Sequence, residues 1–427
     1  MAHLAHIVYN TGIRLYGLGV RVASLWNVKA RQMVQGWQEW RQIEPLDDRP
    51  TAWFHVSSLG EFEQARPVMK RFKEVYPQYR VWVTFFSPSG YEVRKDTREA
   101  DRVTYLPIDT PRNARRLVET IKPDVAFFVK YDFWFNTLRA LKQQAVPTYI
   151  FSAIFRRRQF FFRPWGRWFM RQLQCFTHVF VQNEESMLLL RSHGMERCTR
   201  AGDTRFDRVR EIAASTAGDE VVERFLSNAV DDAAKPGAAG RKCLVAGSTW
   251  EPDERNLQKW WDGCASKPML IVAPHVISEG HLDYIEKLFG KGRCVRYSAV
   301  GGRLSAFSNR HEVLIIDNMG LLSRLYRYGD VSYIGGGFGR GIHNTLEAVA
   351  YGKPVVFGPN HTKFQEAMDL KSIGGGFSYK RAGELSAILD RLLGDEAAHR
   401  RASDACRAYV TENVGGTERI FSVVSSR

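Results

Sequence analysis

Cysteine is sparse and scattered in this chain. Cys175, Cys198, Cys243, Cys264, Cys294 and Cys406 form no C-x-x-C pair, which argues against zinc and against a disulfide framework and fits a reducing, cytoplasmic compartment. Long apolar runs are missing as well. Arg14 and Arg21 interrupt the N-terminal apolar stretch, and each would cost about 2.5–3.5 kcal/mol near a bilayer centre, so a spanning helix is not expected. No small-residue cleavage site follows, so a secretory signal is not expected. There is no internal repeat and no low-complexity tract, and no D-x-D stands at a strand end to hold a divalent metal. A dinucleotide fingerprint is absent too, because glycines at 335 and 337 put its third position on Arg340. Acidic residues number 46 against 61 basic ones. The net charge of +15 asks for an anionic partner: nucleic acid, anionic membrane or a phosphorylated substrate.

What the 427 residues do contain is two successive α/β patterns, as expected of a chain too long for one typical core. Ahead of them, Leu4, Ile7, Val8, Thr11, Leu15, Leu18, Val22 and Leu25 recur every three or four residues, with His6, Asn10, Arg14 and Arg21 on another side. This is an amphipathic helix, lying flat on a bilayer or packed on the protein's own core. Trp26, Lys29, Arg31, Trp37, Trp40 and Arg41 mix aromatic and basic groups as an interfacial belt does. Residues 1–45 are therefore expected to form a membrane-associating segment.

The first α/β pattern, residues 46–212, predicts strands over 51–56, 81–86, 102–106, 124–129, 148–151 and 179–182, the apolar ones of parallel-sheet type. Glu61 falls at the carboxyl end of the first strand, where open α/β sheets bind ligands. A carboxylate at a helix start also serves the helix dipole, so its position alone leaves both roles open. Between Ile154 and Arg171, arginines including Arg156, Arg157 and Arg158 alternate with aromatic residues. Such a run suits a single-stranded nucleic-acid groove or a phosphorylated lipid at a membrane surface. Arg205 can offset charge on a departing phosphate or pair with Asp203 or Asp207.

Residues 213–240 read as a helix and a flexible linker. The second pattern, 241–405, predicts strands over 242–246, 269–273, 312–316, 330–334 and 354–357. Its centre is Gly335–Pro359, GGGFGRGIHNTLEAVAYGKPVVFGP. Asn344 reads as the N-cap of a helix over Thr345–Ala350, stopped by Gly352 and Pro354, with N–H groups and a dipole for a phosphate. In a plainer reading the glycines only make turns. Glu347, one turn into that helix, can accept hydrogen bonds from ribose hydroxyls.

The segment around Asn344–Glu347 resembles the G-G-H-N-x-L-E signature of the Kdo (3-deoxy-D-manno-octulosonic acid) transferases of lipopolysaccharide synthesis, which are GT-B glycosyltransferases. Ordered motifs extend the resemblance from about residue 51 to the end. Ser57-Ser58-Leu59-Gly60-Glu61 is similar to the family's S-V-G-E, and Lys130–Asn136 to E-x-E-L-W-P-N, with Lys130 where the pattern has a glutamate. Gly202–Asp207 is similar to G-N-x-K-F-D with Arg205 for the lysine, and Gly247–Glu251 to S-T-H-E-G-E with Trp250 for histidine. Pro274-His275, Asp317–Leu321 and Asn413–Arg419 resemble P-R-H, D-T-M-G-E-L and the closing N-x-G-A-x-x-R.

The resemblance implies a GT-B fold, two Rossmann-like domains facing across a cleft, with residues 406–427 as a helix crossing back to the first. It implies inverting transfer of Kdo from CMP-Kdo to a phosphorylated lipid A precursor at the cytoplasmic face of the inner membrane, with neither metal nor other cofactor and no nucleic-acid partner. Glu61 would be the general base, with Lys130 and Arg205 as further catalytic positions. Pro274, His275, Met319, Gly320, Leu321, Asn344, Thr345, Leu346 and Glu347 would bind CMP, and Arg156, Arg157 and Arg158 would face the acceptor. A GT-B enzyme using a UDP-sugar and a basic single-strand nucleic-acid-binding protein are the alternatives.

Overall fold

The computed structural model describes residues 2–45, 47–214, 218–227, 241–265, 267–300, 308 and 310–426. The chain divides into two compact units, Met1–Arg208 with Asn413–Arg427, and Val209–Glu412. Of the expected linker 213–240, residues 215–217 and 228–240 lie outside the described residues; the remainder includes the helix Glu220–Ser227.

Unit 1 is built on a parallel sheet of β1 (Thr51–Val56), β2 (Arg80–Phe85), β3 (Arg102–Tyr105), β4 (Val125–Val129), β5 (Thr148–Ala153), β6 (His178–Val181) and β7 (Cys198–Arg200), in the order β3-β2-β1-β4-β5-β6-β7. Every residue of β1, β2, β4, β5 and β6 is buried, as a sheet covered on both faces requires. Neighbouring residues feed opposite layers: Trp53 and Phe128 one core, Phe54 and Phe127 the other. The order reverses between β1 and β4, so the crevice outside their carboxyl ends is the topological switch point.

The end of the chain returns to this unit. Asp207 accepts the amides of Gly415 at 2.6 Å and Thr417 at 2.7 Å, and the Thr417 hydroxyl at 2.7 Å. That anchor starts the helix Gly416–Val424, whose Ile420 and Phe421 join the core beside Phe54 and Phe72.

Two helices precede β1: α1 (Ala2–Ala23) and α2 (Val28–Glu39). The N-terminal helix packs on unit 1 by one side and leaves the other open. The side carrying polar groups faces unit 1: Asn136 Nδ2 donates to Asn10 Oδ1 at 2.8 Å, Arg139 meets His6 at 3.0 Å, and Tyr9 donates to the buried Asp109 at 2.6 Å. Gly17 presses on Ile108 so closely that a Cβ there would lie 2.2 Å from its Cδ1. The apolar side faces outward, with Leu4, Val8, Leu15, Leu18, Val22, Leu25 and Trp26 exposed. Among the described residues no helix is long and apolar enough to cross a membrane. The interfacial belt needs correction at two positions. Trp37 and Trp40 are 6% and 2% exposed, Trp37 packing with Met33 and Ile108 and Trp40 with the core that contains Trp53.

Unit 2 repeats the plan with β8 (Cys243–Thr249), β9 (Met269–Pro274), β10 (Cys294–Arg296), β11 (Val313–Ile315), β12 (Val331–Ile334), β13 (Val355–Phe357) and β14 (Gly376–Ser378), ordered β10-β11-β9-β8-β12-β13-β14. All the pairings are parallel, and the order reverses between β8 and β12. Strands β7, β10 and β14, absent from the sequence reading, have three residues each, and β10, β14 and β7 are sheet edges.

Candidate active-site residues on the two units

On unit 1 the switch point gathers charged groups. Glu61 lies in the first turn of α3 (Leu59–Val75), and its Oε2 accepts the Ser57 amide at 2.8 Å and the Ser58 hydroxyl at 3.1 Å. Burial raises its carboxyl above the ordinary 4.5, while Lys130 and the Ser57 and Ser58 donors pull it back only in part. Lys130 follows β4 in the left-handed region, at φ +59, a conformation that costs a non-glycine residue about 1 kcal/mol. Its ammonium acts on three carboxyls, those of Glu61, Asp132 and Asp203.

Arg205 forks onto Asp203, donating from Nε at 2.9 Å and Nη2 at 2.8 Å. Burial alone would raise Asp203, but Arg205 and then Lys130 and Gln64 outweigh it and hold the carboxyl below 3.8. Of the two roles open for Arg205, the ion pair is therefore present, with a buried partner. Arg156, Arg157 and Arg158 are exposed, and the charge of Arg156 reaches Tyr131, next to Lys130. The aromatic residues of this stretch mostly turn inward: Phe155, Phe161 and Trp168 are core, while Trp165 stays 66% exposed.

On unit 2, three rings from three loops form a column. Trp250, after β8, stacks on His275, after β9, at 4.8 Å and 26°; His275 stacks on His343 of the glycine loop at 4.4 Å and 28°. Burial, helped by His275, lowers His343 to about 4, so it is neutral at pH 7 and its Nε2 can accept from the Trp250 indole N–H, 3.4 Å away. Met319 is 83% exposed on the β11 loop, followed by Gly320 and Leu321.

The helix after the glycine loop differs from expectation. It covers only Leu346–Val349, and its N-cap is Thr345, not Asn344. Asn344 Oδ1 accepts from Leu346 N at 3.2 Å while its amide donates to Glu347 Oε1 at 3.0 Å, an Asx turn that bends the chain before the helix begins. A single turn carries little dipole, so an anion here would rely on local N–H groups. Thr345 and Leu346 are buried, whereas Asn344 and Glu347 are half-buried. The glycines have a packing role of their own. A Cβ on Gly337 would stand 2.6 Å from the backbone of Gly358. Among the described residues no group of three or more His, Cys, Asp or Glu is placed to hold a metal ion.

Residues 31–208 match the family model of the 3-deoxy-D-manno-octulosonic-acid transferases. Along a larger part of the chain, the enzyme of that name from Aquifex aeolicus is 26% identical over 80% of this chain and 85% of its own length. The one from Bordetella pertussis is 25% identical over 87% and 86%. Over most of its length the chain is thus similar to Kdo transferases. Among solved structures, UDP-GlcNAc 2-epimerase from Neisseria meningitidis superposes with a TM-score of 0.59 at 14% identity, over 88% of this chain and all (100%) of that one, a likeness of fold. With its two Rossmann-like parallel sheets, the protein has the GT-B class of architecture.

Three buried residues carry much of the site's geometry and were not singled out in the sequence. His55 and Asp132 stand behind Glu61, and Asp253 stands behind the glycine loop. For Asp132 a signal existed, its place two residues after Lys130 at a strand end. Asp253 sits three residues after Trp250, the spacing at which a side chain reaches back to a helix's first amide.

Proposed function

We propose that this protein is a Kdo transferase that moves Kdo from CMP-Kdo to a phosphorylated lipid A precursor, with inversion and without a metal, at the cytoplasmic face of the inner membrane. The observation that carries the reading is Glu61, a carboxylate fixed by Ser57 and Ser58 at a switch point, with its proton affinity raised by burial. A base of that kind removes the proton of an acceptor hydroxyl as its oxygen attacks the anomeric carbon. The bond to CMP breaks on the opposite face, its electron pair leaving with the phosphate, which inverts the centre.

Lys130 favours the ionised form of Glu61 and so keeps the base active despite burial. Exposed Arg156, Arg157 and Arg158 suit the acceptor's phosphates. On unit 2, the Trp250–His275–His343 column, Met319–Leu321 and Asn344–Glu347 are the surfaces for the cytidine monophosphate. The outward apolar stripe of α1, flanked by Arg14, Arg21 and Lys29, supports a place on an anionic bilayer.

Incubating the purified protein with CMP-Kdo and a tetra-acylated lipid A precursor, then weighing the lipid by mass spectrometry, tests the proposal. A gain equal to one or more Kdo residues is expected. An unchanged lipid with CMP-Kdo and a Kdo-free product with a UDP-sugar instead would overturn it.

A further inference from the structure

Behind Glu61 lies a buried chain of polar groups whose hydrogen bonds leave little freedom in where the protons sit. Trp134 Nε1, which can only donate, lies 2.9 Å from Nε2 of His55, a residue with no exposed surface. Nε2 must therefore carry a lone pair, and the ring's proton is on Nδ1, which donates to Thr84 Oγ1 at 2.8 Å. Burial, the main cause, lowers His55 to about 3, in keeping with a neutral ring. Asp132 Oδ2 faces the same Nε2 at 3.6 Å and finds no donor among the described residues, while Oδ1 accepts the Ser57 hydroxyl. Asp132 is 7% exposed.

An ionised Asp132 would leave a buried anionic oxygen, Oδ2, without a hydrogen-bond donor, offset only in part by Lys130 and by the Ser57 donors. A proton on Asp132 takes the charge off an oxygen that has no hydrogen-bond partner among the described residues. The groups that face Asp132 agree. Glu61 is a like charge, His55 is neutral, and the Lys130 ammonium that favours the ionised form of Asp132 also acts on Glu61 and Asp203. Burial first and Glu61 second push the Asp132 carboxyl well above 3.8. Of the two neighbouring acids, Asp132 is the more buried and so the one that holds the proton.

We propose that Asp132 is a neutral acid that positions the base: its Oδ1 fixes Ser57, and the Ser57 backbone N–H holds Glu61 Oε2. The negative charge of the pair then rests on Glu61, opposite Lys130. The kinetic side of this inference rests on the transfer reaction proposed above; the protonation state does not.

The test combines infrared difference spectra with kinetics on the full chain, using D132N and D132A. At neutral pH the wild-type protein is expected to show the C=O band of a protonated carboxyl that D132N lacks. D132A is expected to lose at least about ten-fold in kcat with KM little changed, the effect of a misplaced base, and D132N to recover most of that loss. If no such band is present, or if D132N loses as much as D132A, the proposal is overturned. Should D132A fail to fold, the band and D132N alone decide. A wild-type protein that shows the band yet transfers no Kdo would refute the proposed function and leave Asp132 as a neutral acid.

Discussion

Asp253 Oδ2 receives the backbone N–H of Gly336 at 2.9 Å, joining the first turn after β8 to a glycine loop 83 residues further along the chain. The same oxygen caps the Trp250 amide at 3.0 Å, and Oδ1 accepts the Tyr333 hydroxyl at 2.7 Å. One carboxylate thus fixes the two loops that carry Trp250 and His343. Asp253→Ala takes the carboxylate acceptor from the Gly336 and Trp250 amides and leaves the Tyr333 hydroxyl only its contact with Tyr379, and it is expected to cost about 2–4 kcal/mol. Denaturant unfolding checks the stability. A CMP titration is expected to weaken in step, because the ring column loses its frame.

Glu61→Gln keeps the hydrogen bonds' geometry and removes the base. Transfer is expected to fall about 100- to 10,000-fold, with CMP-Kdo binding by calorimetry unchanged. Burial raises the Glu61 carboxyl above 4.5, so the wild-type rate is expected to climb with pH through an inflection above that value. A rate that is flat across mildly acidic pH, or a Gln variant of normal activity, would remove Glu61 as the base.

Stability should carry the opposite pH trend. Asp132 is raised well above 3.8 in the fold, so between its unfolded and folded values the native state holds a proton that the unfolded chain releases. That contribution is complete below the ordinary carboxylate range and is lost as pH rises through the folded value. In urea titrations at stepped pH, D132N is expected to flatten this decline. The remaining slope belongs to other raised carboxyls such as Asp109 and Asp253.

Binding to vesicles should depend on the outward side of α1. Leu18→Glu with Val22→Glu places charge in the exposed stripe and leaves the contacts of Tyr9 and Asn10 intact. Loss of about ten-fold or more in partitioning to anionic vesicles is expected, since each buried leucine-sized side chain contributes about 1.5–3 kcal/mol. Unchanged flotation of the double variant would place membrane contact elsewhere.

Chelation with EDTA is expected to leave the initial rate of transfer unchanged. Loss of activity that magnesium restores would contradict a metal-independent mechanism.

The sheets were legible because parallel strands buried on both faces read as unbroken apolar runs, as Val125–Val129 and Met269–Pro274 do. The strands missed, such as Gly376–Ser378, are three residues long and lie at edges, too short to show a period. Periodicity found α1 but did not show that its polar side meets protein, because Asn10 and His6 find polar partners at Asn136 and Arg139 that only the tertiary fold supplies. Trp37 and Trp40 looked interfacial for the same reason. At the site, motif order located Glu61 and the glycine loop. His55, Asp132 and Asp253 act through contacts across 75 or more positions, which no local spacing reveals.

Because Tyr9, Asn10 and His6 tie α1 down by its polar side, the helix cannot roll over to hide its leucines without breaking those ties. The purified protein should accordingly behave as a surfactant with a rigid head: prone to self-association in plain buffer, dispersed by mild detergent, and held on a lipid film in one fixed orientation.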